Sequence, residues 1–249
     1  MSYFEYKNTQ VYYKLSGNGF PVIFLHGNTS SSKMFLGVVG KFSKIYKTIR
    51  VDFPGHGKSE RISEFPVDWW FENAAVIIAL IRHLKLPKVH IIGSSGGALI
   101  ALNIALEYPQ YVNKIVADSF IGEYSQDDFI NSLNTDRQQA MKSIFAKLFW
   151  RWNHGPDWRN VVRQDTIMQT SFHKKYGNFF HQPLSGISVP VLLIGSKEDE
   201  FVPDIEKKYG RLSANMRDSK VHIFQQGNHP SIMSNSKRFF KITHDFLKE

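Results

Sequence analysis

Val89-His90-Ile91-Ile92-Gly93-Ser94-Ser95-Gly96-Gly97-Ala98-Leu99-Ile100-Ala101 carries the decisive reading of this chain. An apolar run of strand character meets Gly-x-Ser-x-Gly, and an apolar-periodic helix follows at once. Such a strand–turn–helix is a nucleophile elbow, which lifts a serine above the sheet. The glycines have a steric reason: the serine backbone is strained, and the residues two before and two after it pass too close for side chains. The register also selects between the adjacent serines. Ser95 lies between Gly93 and Gly97, whereas Ser94 would need glycine where Ile92 stands. Ser95 is the candidate nucleophile.

Outward from the elbow, strands and helices alternate. Tyr3–Lys7 and Gln10–Leu15 read as strands around an Asn8-Thr9 turn, and Pro21–Leu25 as a strand buried on both faces. Lys33–Phe42 reads as a helix, Lys47–Asp52 as a strand and Pro66–Leu84 as a long helix. After the elbow come a helix over Gly96–Glu107 and a strand over Val112–Asp118. From about Phe120 to Gly186 the pattern is helical, without a convincing buried strand. Alternation then resumes: strand Val189–Gly195, helix Asp204–Leu212, strand Lys220–Phe224 and a terminal helix Ser231–Leu247. This order predicts an α/β fold, with a mostly parallel central sheet covered by helices on both faces. Residues 1–119 and 187–249 form its core domain, and residues 120–186 form a helical insertion at the sheet's edge.

Composition bounds the function. The 249 residues suit one α/β domain with an insertion. There is no cysteine, so disulfides, thiolate metal sites and a cysteine nucleophile are excluded. The N-terminus lacks the basic-then-apolar layout of a signal peptide, and the longest apolar run, Ala74–Ile81, falls short of the ~18 residues of a membrane span. A cytoplasmic location is the expectation. The net charge of +9 is scattered over separate lysines and arginines. Solvated surface charge is its simplest account, and an anionic substrate or an acidic carrier protein as partner is the alternative. No nucleic-acid-binding signature accompanies it.

A serine hydroxyl needs a base, and a histidine base needs a carboxylate to fix its tautomer. In this fold class the chain order is serine, acid, histidine. Asp199 lies in the loop beyond Val191–Ile194, and His229 lies beyond Val221–Phe224 and before the last helix, both past carboxyl strand ends. Asp118, ending the preceding buried strand, is the competing acid. Glu198 has the poorer context, His222 sits within a strand and His244 in the last helix. His26 and His56 adjoin glycine turns before the serine and read as structural. An oxyanion requires backbone donors, worth about 3 kcal/mol each. The N–H of Gly96, at a helix start, and that of Asn28, after His26-Gly27, are the candidates.

His26-Gly27-Asn28, Asp52-Phe53-Pro54-Gly55-His56-Gly57-Lys58-Ser59, Gly93-Ser94-Ser95-Gly96-Gly97, Asp199 and His229 together resemble the α/β-hydrolase family. The likeness runs from about residue 10 to the C-terminus, except the insertion. It implies Ser95 as nucleophile, Asp199 as acid, His229 as base and residues 120–186 as a cap over the pocket. Serine at the elbow disfavours members with an aspartate nucleophile. The elbow also departs from the Gly-Gly-Ser-Trp-Gly of proline iminopeptidases and the Asn-Ser-Met-Gly-Gly of many carbon–carbon bond hydrolases. The expected activity is that of a carboxylesterase-like serine hydrolase without metal or organic cofactor, acting on a small, partly apolar ester. Carbon–carbon bond hydrolysis and a small-molecule receptor with negligible turnover are the alternatives. Phe145, Phe149, Trp150, Trp152 and Trp158 either line an apolar pocket or join the insertion to the core.

Overall fold

A computed structural model describes residues 2–249. The chain opens with the hairpin β1 (Ser2–Tyr6) and β2 (Thr9–Ser16), in which Tyr6 pairs with Thr9. The turn is Lys7-Asn8, with φ of 47° and 61°, and not Asn8-Thr9 as the sequence suggests. Two consecutive left-handed residues match the twist of the flanking strands, and Asn tolerates that region. Strand β3 (Pro21–Leu25), helix α1 (Leu36–Phe42), β4 (Lys47–Val51) and α2 (Trp69–His83) follow. Then come the elbow strand β5 (Val89–Ser94), α3 (Gly96–Glu107) and β6 (Val112–Asp118). Between β6 and the next strand lie α4 (Asp127–Ala140), α5 (Ile144–His154) and α6 (Trp158–Lys175). The chain closes with β7 (Val191–Ser196), α7 (Ile205–Ala214), β8 (Ser219–Phe224), the single turn α8 (Ser231–Ser234) and α9 (Ser236–Lys248).

The eight strands form one sheet in the order β1-β2-β4-β3-β5-β6-β7-β8. Its first two pairings are antiparallel and the rest are parallel. Alternating side chains feed two cores. In β3, Ile23 and Leu25 face the core shared with α2 and α3, while Val22 and Phe24 face the core shared with α1 and α9. Phe24 is fully buried, with ring centres 5.2 Å from both Phe35 and Phe42, and its burial stabilises by about 2–3 kcal/mol. The parallel order brings the loops after β3, β5, β7 and β8 to one end of the sheet.

The sequence expects one helix over Ser231–Leu247, but the structure breaks it at Asn235. There the Asn235 amide donates to the carbonyl of Gln226 and to Ser196 Oγ, tying the helix junction to the β8 loop. Such side-chain bonds to loop groups compete with continuous helix.

The helical segment is held to the sheet end by polar contacts. Arg61 makes a two-pronged pair with Asp157, at 2.6 and 3.1 Å, and donates to the carbonyl of His154. His154 Nε2–H donates to the Thr29 carbonyl at 3.0 Å, while its Nδ1 accepts the Gly57 N–H at 3.1 Å. Accepting the Gly57 N–H at Nδ1 requires the neutral ring. Burial, opposed by the Thr29 hydrogen bond and helped by the neighbouring His26 and Arg61, holds His154 down at about 4 against an ordinary 6.5. The unfolded chain therefore takes up this proton below pH 6.5 and the folded chain only near pH 4. Stability is complete above pH 6.5 and falls as pH drops towards 4, by roughly 3 kcal/mol at about 1.4 kcal/mol per pH unit. His26 and His56, also lowered by burial, act in the same sense. Urea unfolding from pH 7 to 4.5 measures the effect. His154→Gln should reduce the slope of stability against pH by about one proton's worth, and an unchanged slope would remove this group from the account.

Candidate active site

Ser95 occupies the junction of β5 and α3 at φ 57° and ψ −124°. A non-glycine residue there stores of order 1–3 kcal/mol of strain. The turn is held from outside: the Ser95 N–H donates to the Asp118 carbonyl at 2.7 Å, and the Ala98 N–H to the Ser95 carbonyl at 2.9 Å. A Cβ on Gly93 would collide with the Gly97 carbonyl oxygen, and one on Gly97 with that of Leu25. Close backbone passage thus accounts for both glycines. Ser94 has no access to the cavity above the sheet. It is fully buried and donates to Asp118 Oδ2 at 2.7 Å.

His229 and Asp199 meet at this end of the sheet. The His229 Nδ1 lies 2.9 and 3.0 Å from the two Asp199 carboxylate oxygens. A proton on Nδ1 satisfies the carboxylate and leaves Nε2 as an acceptor. Asp199 is buried and also accepts the Phe201 N–H at 3.0 Å. Sequence reasoning weighed Glu198 only as a rival acid and missed what the two flanking glutamates do. Glu200 accepts the His229 backbone N–H at 2.9 Å and Glu198 that of Gly227 at 3.1 Å, so both tether the β8 loop. Asp118 faces other partners: its carboxylate accepts from Ser94, Ser119 and Ser231 hydroxyls and from the Ile232 N–H. Burial pushes this carboxyl up, opposed by the Ser231 and Ser94 hydrogen bonds.

The remaining histidines lie elsewhere. His26 is fully buried, with Nδ1 at 2.8 Å from the Gly27 carbonyl and Nε2 accepting the Phe53 N–H. Burial lowers it, and lowers His56 still further with help from His26 and His154. His222 is part of β8, and His244 on α9 pairs with the Tyr46 hydroxyl at 2.9 Å.

Ser95, Gly96, Asn28 and His229 share the wall of one cavity of about 530 Å³. Gly96 opens α3, so its N–H is among those without an intrahelical partner. The opposite wall comes from α4 and α5, including Phe129, Leu133, Phe145 and Phe149. The aromatic residues of the helical segment divide between two roles. Trp150 and Trp158 stack at 5.4 Å in a small core with Val162, and Trp150 also reaches the cavity, whereas Trp152 is about half exposed.

A further polar group was hidden in the sequence. Asp165 of α6 is fully buried and accepts from Asn28 Nδ2 (2.6 Å), Arg137 Nη2 (2.7 Å) and Gln169 Nε2 (2.7 Å). Its signal is periodicity: Val161, Asp165, Met168 and Phe172 share one helical stripe, an acid among apolar residues. No group of His, Asp and Glu among the described residues is arranged to hold a metal ion.

The sequence model of the α/β hydrolase fold matches residues 21–154, more than half of the chain. The protein belongs to the α/β-hydrolase family. This α/β hydrolase is 25% identical to human serine hydrolase BPHL over 258 residues, covering 96% of the chain and 83% of that protein. It is also 25% identical to the 2-hydroxy-6-oxononadienedioate/2-hydroxy-6-oxononatrienedioate hydrolase of Burkholderia vietnamiensis, covering 96% of the chain and 91% of the relative. Among solved structures, the fold is shared with an esterase from Exiguobacterium antarcticum. That likeness has a TM-score of 0.78 at 22% identity and covers 97% of this chain and 96% of the other. No helix among the described residues is long and apolar enough to cross a membrane.

Proposed function

We propose that this hydrolase cleaves carboxylic esters of small, partly apolar substrates by a Ser95–His229–Asp199 triad, with residues 120–186 as a cap over the pocket. The observation that carries the reading is the pairing of His229 Nδ1 with Asp199 in a loop whose histidine shares a cavity with strained Ser95. His229 Nε2 takes the Ser95 proton as Oγ attacks the ester carbonyl carbon. The carbonyl π pair moves onto oxygen, held by the N–H groups of Asn28 and Gly96. Collapse expels the alkoxide, which leaves with the proton from His229. Water, deprotonated by the same imidazole, then attacks the acyl-enzyme and returns Ser95 and the carboxylic acid.

A panel of ethyl esters of graded acyl length, followed by acid release, tests this reading. Turnover lost on treatment with a fluorophosphonate that labels Ser95 is the expected result. Labelling of Ser95 without ester turnover would overturn it. Carbon–carbon bond hydrolysis is the second reading, favoured by curated relatives that include 2-hydroxy-6-oxo-6-phenylhexa-2,4-dienoate hydrolase of Burkholderia cepacia at 24% identity. Faster cleavage of a vinylogous diketone than of any simple ester would select it.

A further inference from the structure

Helix α5 carries apolar side chains on two faces. The inner face is packed: Trp150, Asn153 and His154 are buried, and Trp150 joins the small core with Trp158 and Val162. The outer face carries Ile144 (60% exposed), Phe145 (81%), Leu148 (57%) and Trp152 (45%). At 3.6 residues per turn these four fill a sector about 100° wide, with Ile144, Leu148 and Trp152 in one row and Phe145 at its edge. Four large apolar side chains left in water on neighbouring turns mark an interaction surface. Phe145 also lines the cavity, as do the half-exposed Phe201 and Met233, so the patch meets the cavity at Phe145.

Charge selects what covers it. From Lys142 to Arg163 the chain holds five lysines and arginines and one acid, Asp157, which Arg61 already pairs. Lys142, Lys147 and Arg151 form no ion pair among the described residues. By helical angle, Lys147 and Arg151 border the apolar sector on the side away from Phe145. Lys33 Nζ lies over the Trp152 ring at 5.6 Å and donates to the Trp152 carbonyl. α5 itself has no acid, and Asp136, the one acid lining the cavity, stands on α4 and accepts from Ser132. A second copy of this chain fits poorly, because a two-fold contact through α5 sets Lys147 and Arg151 against their own copies. A folded acidic partner needs directional groups to fix its register, and the sector offers only the Trp152 indole N–H. An anionic lipid layer needs none: apolar side chains enter the acyl boundary, tryptophan sits at headgroup level, and flanking cations meet the phosphates.

We propose that the outer face of α5 docks the protein on an anionic phospholipid surface. Ile144, Phe145, Leu148 and Trp152 enter the interface, and Lys147 and Arg151 lie against the headgroups. The docking is independent of which bond the active site cleaves, and it sets the cavity beside the lipid at Phe145.

Co-sedimentation with vesicles tests it, comparing pure phosphatidylcholine with equal parts phosphatidylcholine and phosphatidylglycerol. Binding to the mixed vesicles should be at least about tenfold stronger. Ile144→Gln and Leu148→Gln should each weaken it about tenfold, and Lys147→Gln with Arg151→Gln about thirtyfold. The same charge change on exposed α7 positions, Lys207→Gln with Arg211→Gln, should weaken it far less. Trp152→Phe should keep the binding but lose the quenching of tryptophan fluorescence by brominated lipid, since the other four tryptophans are buried. These substituted side chains are exposed, so thermal melts of the variants should match the parent. No preference for the mixed vesicles, equal loss from the two charge pairs, glutamine variants that bind like the parent, or quenching that survives Trp152→Phe would each overturn the docking. Two further outcomes also overturn it by assigning the face to another occupant. Binding of soluble poly-glutamate that Leu148→Gln weakens as much as vesicle binding would point to an acidic protein. Dimerisation in sedimentation equilibrium that Leu148→Gln abolishes would point to a second copy.

Discussion

Ser95→Ala should lower ester turnover by about 10⁵-fold or more while leaving the thermal unfolding temperature nearly unchanged. The hydroxyl is the only group removed, and Cβ stays, so the packing against Gly27 and the strained φ of 57° are retained. On the proposed mechanism only binding and the proposed oxyanion donors would remain, and these act on water attack far less effectively than on a serine nucleophile. Single-turnover assays and calorimetric melts on the same preparation check both halves. Turnover within tenfold of the parent would show that the nucleophile lies elsewhere. A large drop in unfolding temperature would show that the strained turn depends on the hydroxyl.

Asp199→Asn should cost about 10⁴ in kcat with little change in stability. The amide keeps the shape but offers N–H where His229 Nδ1–H needs an acceptor, so the imidazole turns to the wrong tautomer. Asp118→Asn provides the contrast. Its carboxylate accepts four hydrogen bonds, three from serine hydroxyls and one from the Ile232 N–H. An amide nitrogen there sets donor against donor in a fully buried site, at a cost of about 2 kcal/mol of unfolding free energy. Activity per folded molecule should fall much less than in Asp199→Asn. Urea unfolding and active-site titration separate the two effects. The reverse pattern, with Asp118→Asn inactive and Asp199→Asn near normal, would move the acid to β6.

Asp118 and Asp199 illustrate where sequence reasoning reached its bound. Both end or follow a buried strand, both come after Ser95, and nothing in the residue order separates them decisively. The separation comes from strand neighbours. β6 and β7 lie side by side, but the β6 end is roofed by Ser231 and Ser94, while the β7 loop runs outward to meet His229. Local patterns were far more legible. Helix Gly96–Glu107 and strand Val112–Asp118 were legible as apolar runs set off by punctuation, since nearly all of the helix and most of the strand are buried in the core. The hairpin turn shifted by one residue because strand twist, invisible in composition, selects two left-handed positions.

The segment Val89–Ala101 by itself determines the elbow, the choice of Ser95 over Ser94, and hence a serine placed above a parallel sheet. Steric exclusion at Gly93 and Gly97 is a property of the local backbone, so a short stretch of sequence suffices to state it. The polar end of the cavity belongs to tertiary structure. Trp70, Arg137 and Asp165 stand on α2, α4 and α6, far apart in the chain. Only the packing of those helices over the sheet end brings Arg137 and the Asn28 amide within 2.7 Å of the Asp165 carboxylate and buries Trp70 beside Gly96. Periodicity tells which face of a helix is buried, but not which partner waits there.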